Sequence, residues 1–197
     1  LGAEQHGNVS AVGFDLFVRM LEEAIAELKG EAPQHEVDTE LSMDIPLFLP
    51  EDYIEEVGVR LSLYKRFASA GSEDEISELA TEMEDRFGAP PDEALIFVRA
   101  MNLKPALRAL RVLACEATAS RVSLHLRDDT PLDGISLLGS LGRGAKPLRL
   151  TPDQRLVRHF DPQPDQDCID RIHQLLRELQ PHIQAQPAPS NPPENPS

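Results

Sequence analysis

The chain has 197 residues, 34 acidic against 19 basic side chains and a net charge of −15. That length holds one domain with a real core plus appendages. The acid excess argues against DNA binding by this chain alone, because DNA affinity rests on Lys and Arg displacing counterions. No apolar run approaches the ~20 residues of a membrane span.

The charge is unevenly spread. Residues 1–98 carry 23 acids and 6 bases, a net of −17, whereas residues 99–197 carry 11 and 13, a net of +2. An acidic front half favours a basic partner and speeds the encounter with it; simple solubility is the alternative. Cys115 and Cys168 lie far apart and outside any paired motif. They read as reduced thiols of a cytoplasmic protein, with one disulfide as the other possibility. The chain starts at Leu1 rather than Met and opens as if mid-domain, so it reads as a piece of something larger. Leu1 to Gly30 is amphipathic and acidic, unlike a secretory signal.

Leu1 to Asn8 is a polar loop. Ala11 to Lys29 is a predicted helix with Val12, Leu16, Met20, Ala24 and Leu28 in one stripe, which either the following domain or an upstream neighbour must cover. Val37 to Ile45 alternates apolar and polar residues, the pattern of a half-buried strand. Pro46 and Pro50 bracket an extended lead into a helical hairpin, Leu49 to Pro91. In its first helix Ile54, Val57, Leu61, Tyr64 and Ala68 share a face, and Gly71 suits a left-handed C′ position. Ser72 begins S-E-D-E, a capping box in which the Glu75 carboxylate reaches back to the Ser72 N–H. The second helix turns Ile76, Leu79, Ala80, Met83 and Phe87 inward and Glu78, Glu82, Asp85 and Arg86 outward; Gly88, Pro90 and Pro91 end it.

Asp92 to Arg111 is helical in pattern, with Leu95, Val98, Met101 or Asn102, Ala106 and Leu110 on one face and a kink or a break near Lys104 imposed by Pro105. Val112 to Cys115 and Arg121 to Leu126 read as strands, Pro131 to Leu141 as a short helix, and Gly142 to Pro147 as a turn. Leu148 to Leu150 and Arg155 to Phe160 form a hairpin around Pro152-Asp153. A last helix starts at Asp167 or Cys168 and buries Ile169, Ile172, Leu175, Leu176 and Leu179. Gln184 to Ser197 is proline-rich without apolar period and reads as a disordered tail. The fold class is α+β: a helical hairpin and further helices packed on a small mixed or antiparallel sheet, preceded by a long linker helix.

Motifs of catalysis are lacking. There is no G-x-x-x-x-G-K-[ST] loop, no G-x-S-x-G and no C-x-x-C, and none of the six histidines has a His or Cys at i+3 or i+4. The chain is therefore expected not to be an enzyme and to hold no metal or cofactor. Glu55-Glu56 and Glu82-Glu84-Asp85 sit on charged outer faces, where nothing desolvates a carboxyl into a general acid. One constellation stands out. Glu82, Asp85 and Arg86 share a ridge, either as a plain intrahelical ion pair or as a docking surface whose acids receive arginines while Arg86 answers an acid. The pattern alone favours the plain pair.

LGAEQHGNVSAVGFDLFVRMLEEAIAELKG resembles the end of the translocation module of the bacterial transcription-repair coupling factor family, a module shared in part with RecG-type translocases. TELSMDIPLFLPEDYI, RLSLYKRFASA, the acidic second helix and DRFGAPPDEA resemble the family's C-terminal domain. The resemblance runs from Leu1 to about Arg111 and continues more weakly, by layout, to about Ile183. It implies residues 1–30 as module end and connecting helix, 36–184 as a C-terminal regulatory domain, and 185–197 as a tail. It implies a parent that is an ATP-hydrolysing double-stranded DNA translocase of the helicase type, using ATP and magnesium, which displaces stalled RNA polymerase and recruits UvrA. The C-terminal domain would mask the UvrA-binding module of the same polypeptide. Glu82, Asp85 and Arg86 match the family's docking positions, which turns the preference from plain pair to docking ridge, and Glu78 on the same outer face is a further candidate for partner binding. Gln5 and His6 fall where the motor is sensed. The fragment alone is expected to be a monomer. A generic interaction or oligomerisation module using the Ala11 to Lys29 face is the alternative.

Overall fold

The computed structural model describes residues 39–139 and 147–183. The expected helix Ala11 to Lys29, Gln5, His6, most of the Gly142 to Pro147 turn and the tail lie outside the described residues.

Strand β1, Glu40–Met43, follows the alternation read from the sequence. Thr39 and Leu41 are buried while Glu40, Ser42 and Asp44 are exposed. Leu47 and Leu49 enter the core on the extended lead, and the Leu49 N–H donates to the Tyr64 hydroxyl at 2.6 Å.

Helix α1, Val57–Ser69, presents a different face from the expected one. It buries Arg60, Leu63, Tyr64, Phe67 and Ala68, whereas Val57 is 56% exposed and Leu61 only half-buried. Ile54 is buried, but it sits in the turn before the helix and so cannot set its phase. The aromatic rings set it instead: Phe97 packs edge-on against Tyr64 and Phe67. Buried Arg60 closes the start of α1, donating to the carbonyls of Ile54 at 2.6 Å and Glu55 at 3.1 Å and pairing with Glu51 at 3.0 Å.

Gly71 does not take the left-handed conformation expected of it; among the described glycines only Gly88 has positive φ. Helix α1 ends at an extended Ala70, and Arg108 donates to the carbonyls of Ala68 and Ala70. A guanidinium from another helix thus satisfies the end carbonyls that a glycine cap would serve. The cap of the next helix is also shifted. Ser72 accepts from the Glu75 N–H at 3.2 Å, but the Glu75 carboxylate accepts from Gly71, at 2.8 Å, one residue earlier than expected.

Helix α2, Glu73–Phe87, buries Ile76, Leu79 and Met83 as expected; Ala80 and Phe87 are half-buried. Gly88 stops it at φ 85°, ψ −170°, a region essentially reserved for glycine. A Cβ there would meet no atom within 4 Å, so Gly88→Ala tests backbone strain alone. We expect a loss of about 1–3 kcal/mol in urea unfolding with the m-value unchanged.

The expected break at Pro105 divides helix α3, Asp92–Met101, from helix α4, Lys104–Ala109, with the proline in the first turn of α4, where its missing N–H costs little. The face of α3 differs from the pattern: Ala94, Phe97, Ala100 and Met101 are buried and Leu95 is 46% exposed. The alanines on either side of Phe97 let the helix approach the α1 rings closely.

Strands β2, Val112–Thr118, longer than expected, and β3, Arg121–Leu126, are followed by helix α5, Gly134–Leu138, strand β4, Arg149–Leu150, and strand β5, Arg155–His159. Helix α6, Cys168–Leu179, carries a complete capping box between Asp167 and Asp170 and continues into a 3-10 turn, Gln180–His182. The sheet order is β1-β2-β3-β5-β4; β1 runs parallel to β2 and the other pairs are antiparallel. This is the mixed sheet and α+β class read from the sequence. One sheet face, with Leu41, Cys115, Val122, Leu124 and Leu156, is buried, and α6 packs across β2 and β3. Cys115 and Cys168 are both buried and are not joined to each other.

The acidic ridge of the second helix

Seven of the fifteen residues of α2 are acidic and one, Arg86, is basic. Three large apolar residues point inward, so the charges occupy the outer surface. Glu78, Asp85 and Arg86 are exposed and Glu82 is partly so. The four positions singled out from the sequence therefore stand together on one open surface. A shallow groove of about 640 Å3 runs along it, lined by Asp74, Ser77, Glu78, Thr81, Glu82, Asp85 and Arg86.

The expected intrahelical pair is present: Arg86 Nη1 lies 2.9 Å from Glu82 Oε1. Its guanidinium also sits over the Phe87 ring, 5.0 Å from the centroid. Phe87 in turn meets Tyr53 edge-on at 6.1 Å, and the Tyr53 hydroxyl donates to the Gly88 carbonyl at 2.8 Å. The C-terminal end of the ridge is thus anchored to the segment before α1.

The sequence reading missed Arg66. From α1 it forks onto Glu82, with Nη1 2.8 Å from Oε1 and Nη2 2.5 Å from Oε2. Hydrogen bonds from Arg66 first and Arg86 second hold the Glu82 carboxyl down at about 2, so Glu82 is ionised throughout the neutral range. The same bond raises Arg66 above its ordinary value. Sixteen residues separate Arg66 from Glu82, and only the antiparallel packing of α1 on α2 brings them together; no local spacing announces the pair. The side chains of Glu78 and Asp85 make no hydrogen bond or ion pair among the described residues.

The arrangement suits reversible polar recognition. Glu78 and Asp85 stand open to solvent, and Glu82 is held by two guanidiniums. Among the described residues no three His, Cys, Asp or Glu side chains are grouped to hold a metal ion, and no helix is long and apolar enough to cross a membrane.

A family model described as "TRCF domain" matches residues 43–137, which include the whole helical hairpin and its ridge. The chain carries a TRCF domain. Curated relatives agree over most of its length. The transcription-repair-coupling factor of Myxococcus xanthus is 36% identical over 181 residues, 91% of this chain and 15% of that protein. That of Escherichia coli K12 is 32% identical over 185 residues, 91% of this chain and 16% of that protein. That of Bacillus subtilis 168 is 36% identical over 140 residues, 70% of this chain. The TRCF-domain chain therefore spans about one sixth of the length of such relatives. The crystal structure of the C-terminal domain of a transcription-repair coupling factor shares the fold, with a TM-score of 0.56 at 19% identity, covering 73% of this chain and 94% of that one.

Proposed function

We propose that this TRCF domain is an autoinhibitory latch. It is the C-terminal regulatory domain, residues 36–184, of a longer double-stranded DNA translocase that uses ATP and magnesium, displaces stalled RNA polymerase and recruits UvrA. In the resting state the α2 ridge docks on the UvrA-binding module of the same polypeptide and hides its recruiting surface. Residues 1–30 join latch to motor, with Gln5 and His6 on the motor side, and 185–197 form a tail. The protein works in the cytoplasm, and this chain contributes no catalysis and little DNA affinity.

The observation that carries this reading is the exposure of Glu78, Glu82, Asp85 and Arg86 on one helix face of a TRCF domain. Acids and a base of this kind fit a cationic surface that carries an acid of its own. Tethering supplies a high effective concentration, so weak exposed contacts suffice. Because these contacts tolerate water, the two surfaces can part when the motor rearranges, and a shift of a few kcal/mol moves the balance from docked to open.

Glu82→Ala combined with Asp85→Ala in the parent polypeptide tests it. Asp85 can gain a whole ion pair on docking, worth up to about fivefold, whereas Glu82 already holds Arg66 and Arg86 in the undocked domain and gains less, so UvrA retention and basal ATPase rise, by about fivefold. Unchanged UvrA retention by a folded double variant would overturn the latch.

A further inference from the structure

Within the ridge Glu82 is chemically unlike its neighbours. A carboxylate offers about four lone-pair sites. Arg66 takes one on each oxygen and Arg86 takes a second on Oε1. The pair of sites that a forked guanidinium would use at once is already filled, by a residue of the domain itself. Glu78, one turn before, and Asp85, one turn after, keep their oxygens open to solvent.

We infer that Arg66 is an internal stand-in for the docking arginine: it fills the forked slot of Glu82 while the domain is undocked, yields it to a guanidinium of the partner surface on docking, and so limits how tightly the latch closes. The inference rests on the latch reading above and names the residue that regulates it. Three features support the exchange. Arg66, Glu82 and Arg86 retain 43%, 36% and 47% of their side-chain exposure, so the fork can open without stranding a charge in a dry site. One guanidinium replaces another, so the bidentate bonds are conserved and neither state leaves Glu82 bare. Arg66 also has somewhere to go. It lines a groove of about 320 Å3 between the hairpin helices together with Glu75, Glu78 and Glu82, and Glu78 can take its charge when Glu82 is taken.

The consequence is a change of sign. Asp85, open in the undocked domain, promotes docking, so its loss opens the latch; Arg66 competes with docking, so its loss closes it. In the parent polypeptide Arg66→Ala is expected to strengthen docking and raise the apparent Kd for UvrA by up to about fivefold, the worth of one exposed pair. Arg66→Gln keeps most of the stem against the hairpin, loses the forked charge and moves the Kd the same way. Asp85→Ala, measured alongside, lowers it. A pair that only braces α1 against α2 would leave UvrA binding unmoved in both Arg66 variants. Unchanged or tighter UvrA binding in them, with Asp85→Ala still tightening it, overturns the role of Arg66 and spares the latch. Unchanged binding in Asp85→Ala as well removes the latch itself and the exchange with it.

Discussion

Phe97→Ala will lower the folding stability of this domain by about 3–5 kcal/mol, the range for removing a large buried ring and leaving its cavity. Phe97 is fully buried and stands between two rings of α1, Tyr64 at 5.4 Å and Phe67 at 5.3 Å, both edge-on. Such pairs add about 0.5–1.5 kcal/mol each beyond the area they bury. Tyr64 also accepts the Leu49 N–H, so the triad ties the lead from β1, α1 and α3 to one point. Alanine would lose both ring contacts and leave a void that Ala94 and Ala100 are too small to fill. Phe97→Leu keeps most of the volume and should lose distinctly less. Urea unfolding of both variants reads this directly. A loss below about 1 kcal/mol for alanine would mean that the aromatic cluster is not what holds α1 to α3. Because α1 carries Arg66, the alanine variant should also blur the placement of the Arg66–Glu82 fork.

The second large effect is expected at Arg171, whose side chain is buried within α6. Its Nε donates to the Ala119 carbonyl at 3.2 Å, its Nη2 to the Asp161 carbonyl at 2.6 Å, and its Nη1 to Gln174 Oε1 at 3.2 Å. The guanidinium also lies over the Phe160 ring, 5.1 Å from the centroid. One side chain therefore pins the β2–β3 turn and the loop after β5 onto α6. Charge-assisted bonds contribute about 1.5–3 kcal/mol each, but Ala119 is half-buried and Asp161 exposed, so their carbonyls recover water when the donor is gone. The expected net loss for Arg171→Ala is about 2–4 kcal/mol. Arg171→Lys keeps the charge but not the fork and should fall between. Hydrogen exchange should show the β2–β3 turn losing protection first; protection lost evenly along the chain would contradict a local clamp.

The elements were legible where one residue type decides them. Gly88 and the two prolines after it end α2, Pro105 divides α3 from α4, Asp167 caps α6, and the alternation of Val122, Leu124 and Leu126 gives β3 its inner face. Helix phase was less legible. Ile54 keeps the period of α1 but lies before it, and Leu95 fits the helical period of α3, yet close packing around Phe97 buries Ala94 instead. Contacts between distant residues left no local trace: Arg108 serves the end of α1 from 38 residues or more away, which is why Gly71 lost its expected role. The candidate site divides the same way. Glu82 with Arg86 is an i,i+4 pair that spacing reveals, whereas Arg66 joins only through the tertiary packing of two helices.

The pairing of β1 with β2 has a kinetic consequence. Thr39 Oγ1 donates to the Val112 carbonyl across 73 residues, and the parallel ladder beside it runs only from Glu40 opposite Ala114 to Met43 opposite Ala117. Closing that loop costs more chain entropy than forming the local contacts of the four helices inside it, so β1 is expected to pair late. The hairpin and its charged ridge are therefore expected to assemble before β1 joins the sheet. Until it does, β2 presents a bare edge to any passing strand, so the four residues of β1 guard the sheet against aggregation.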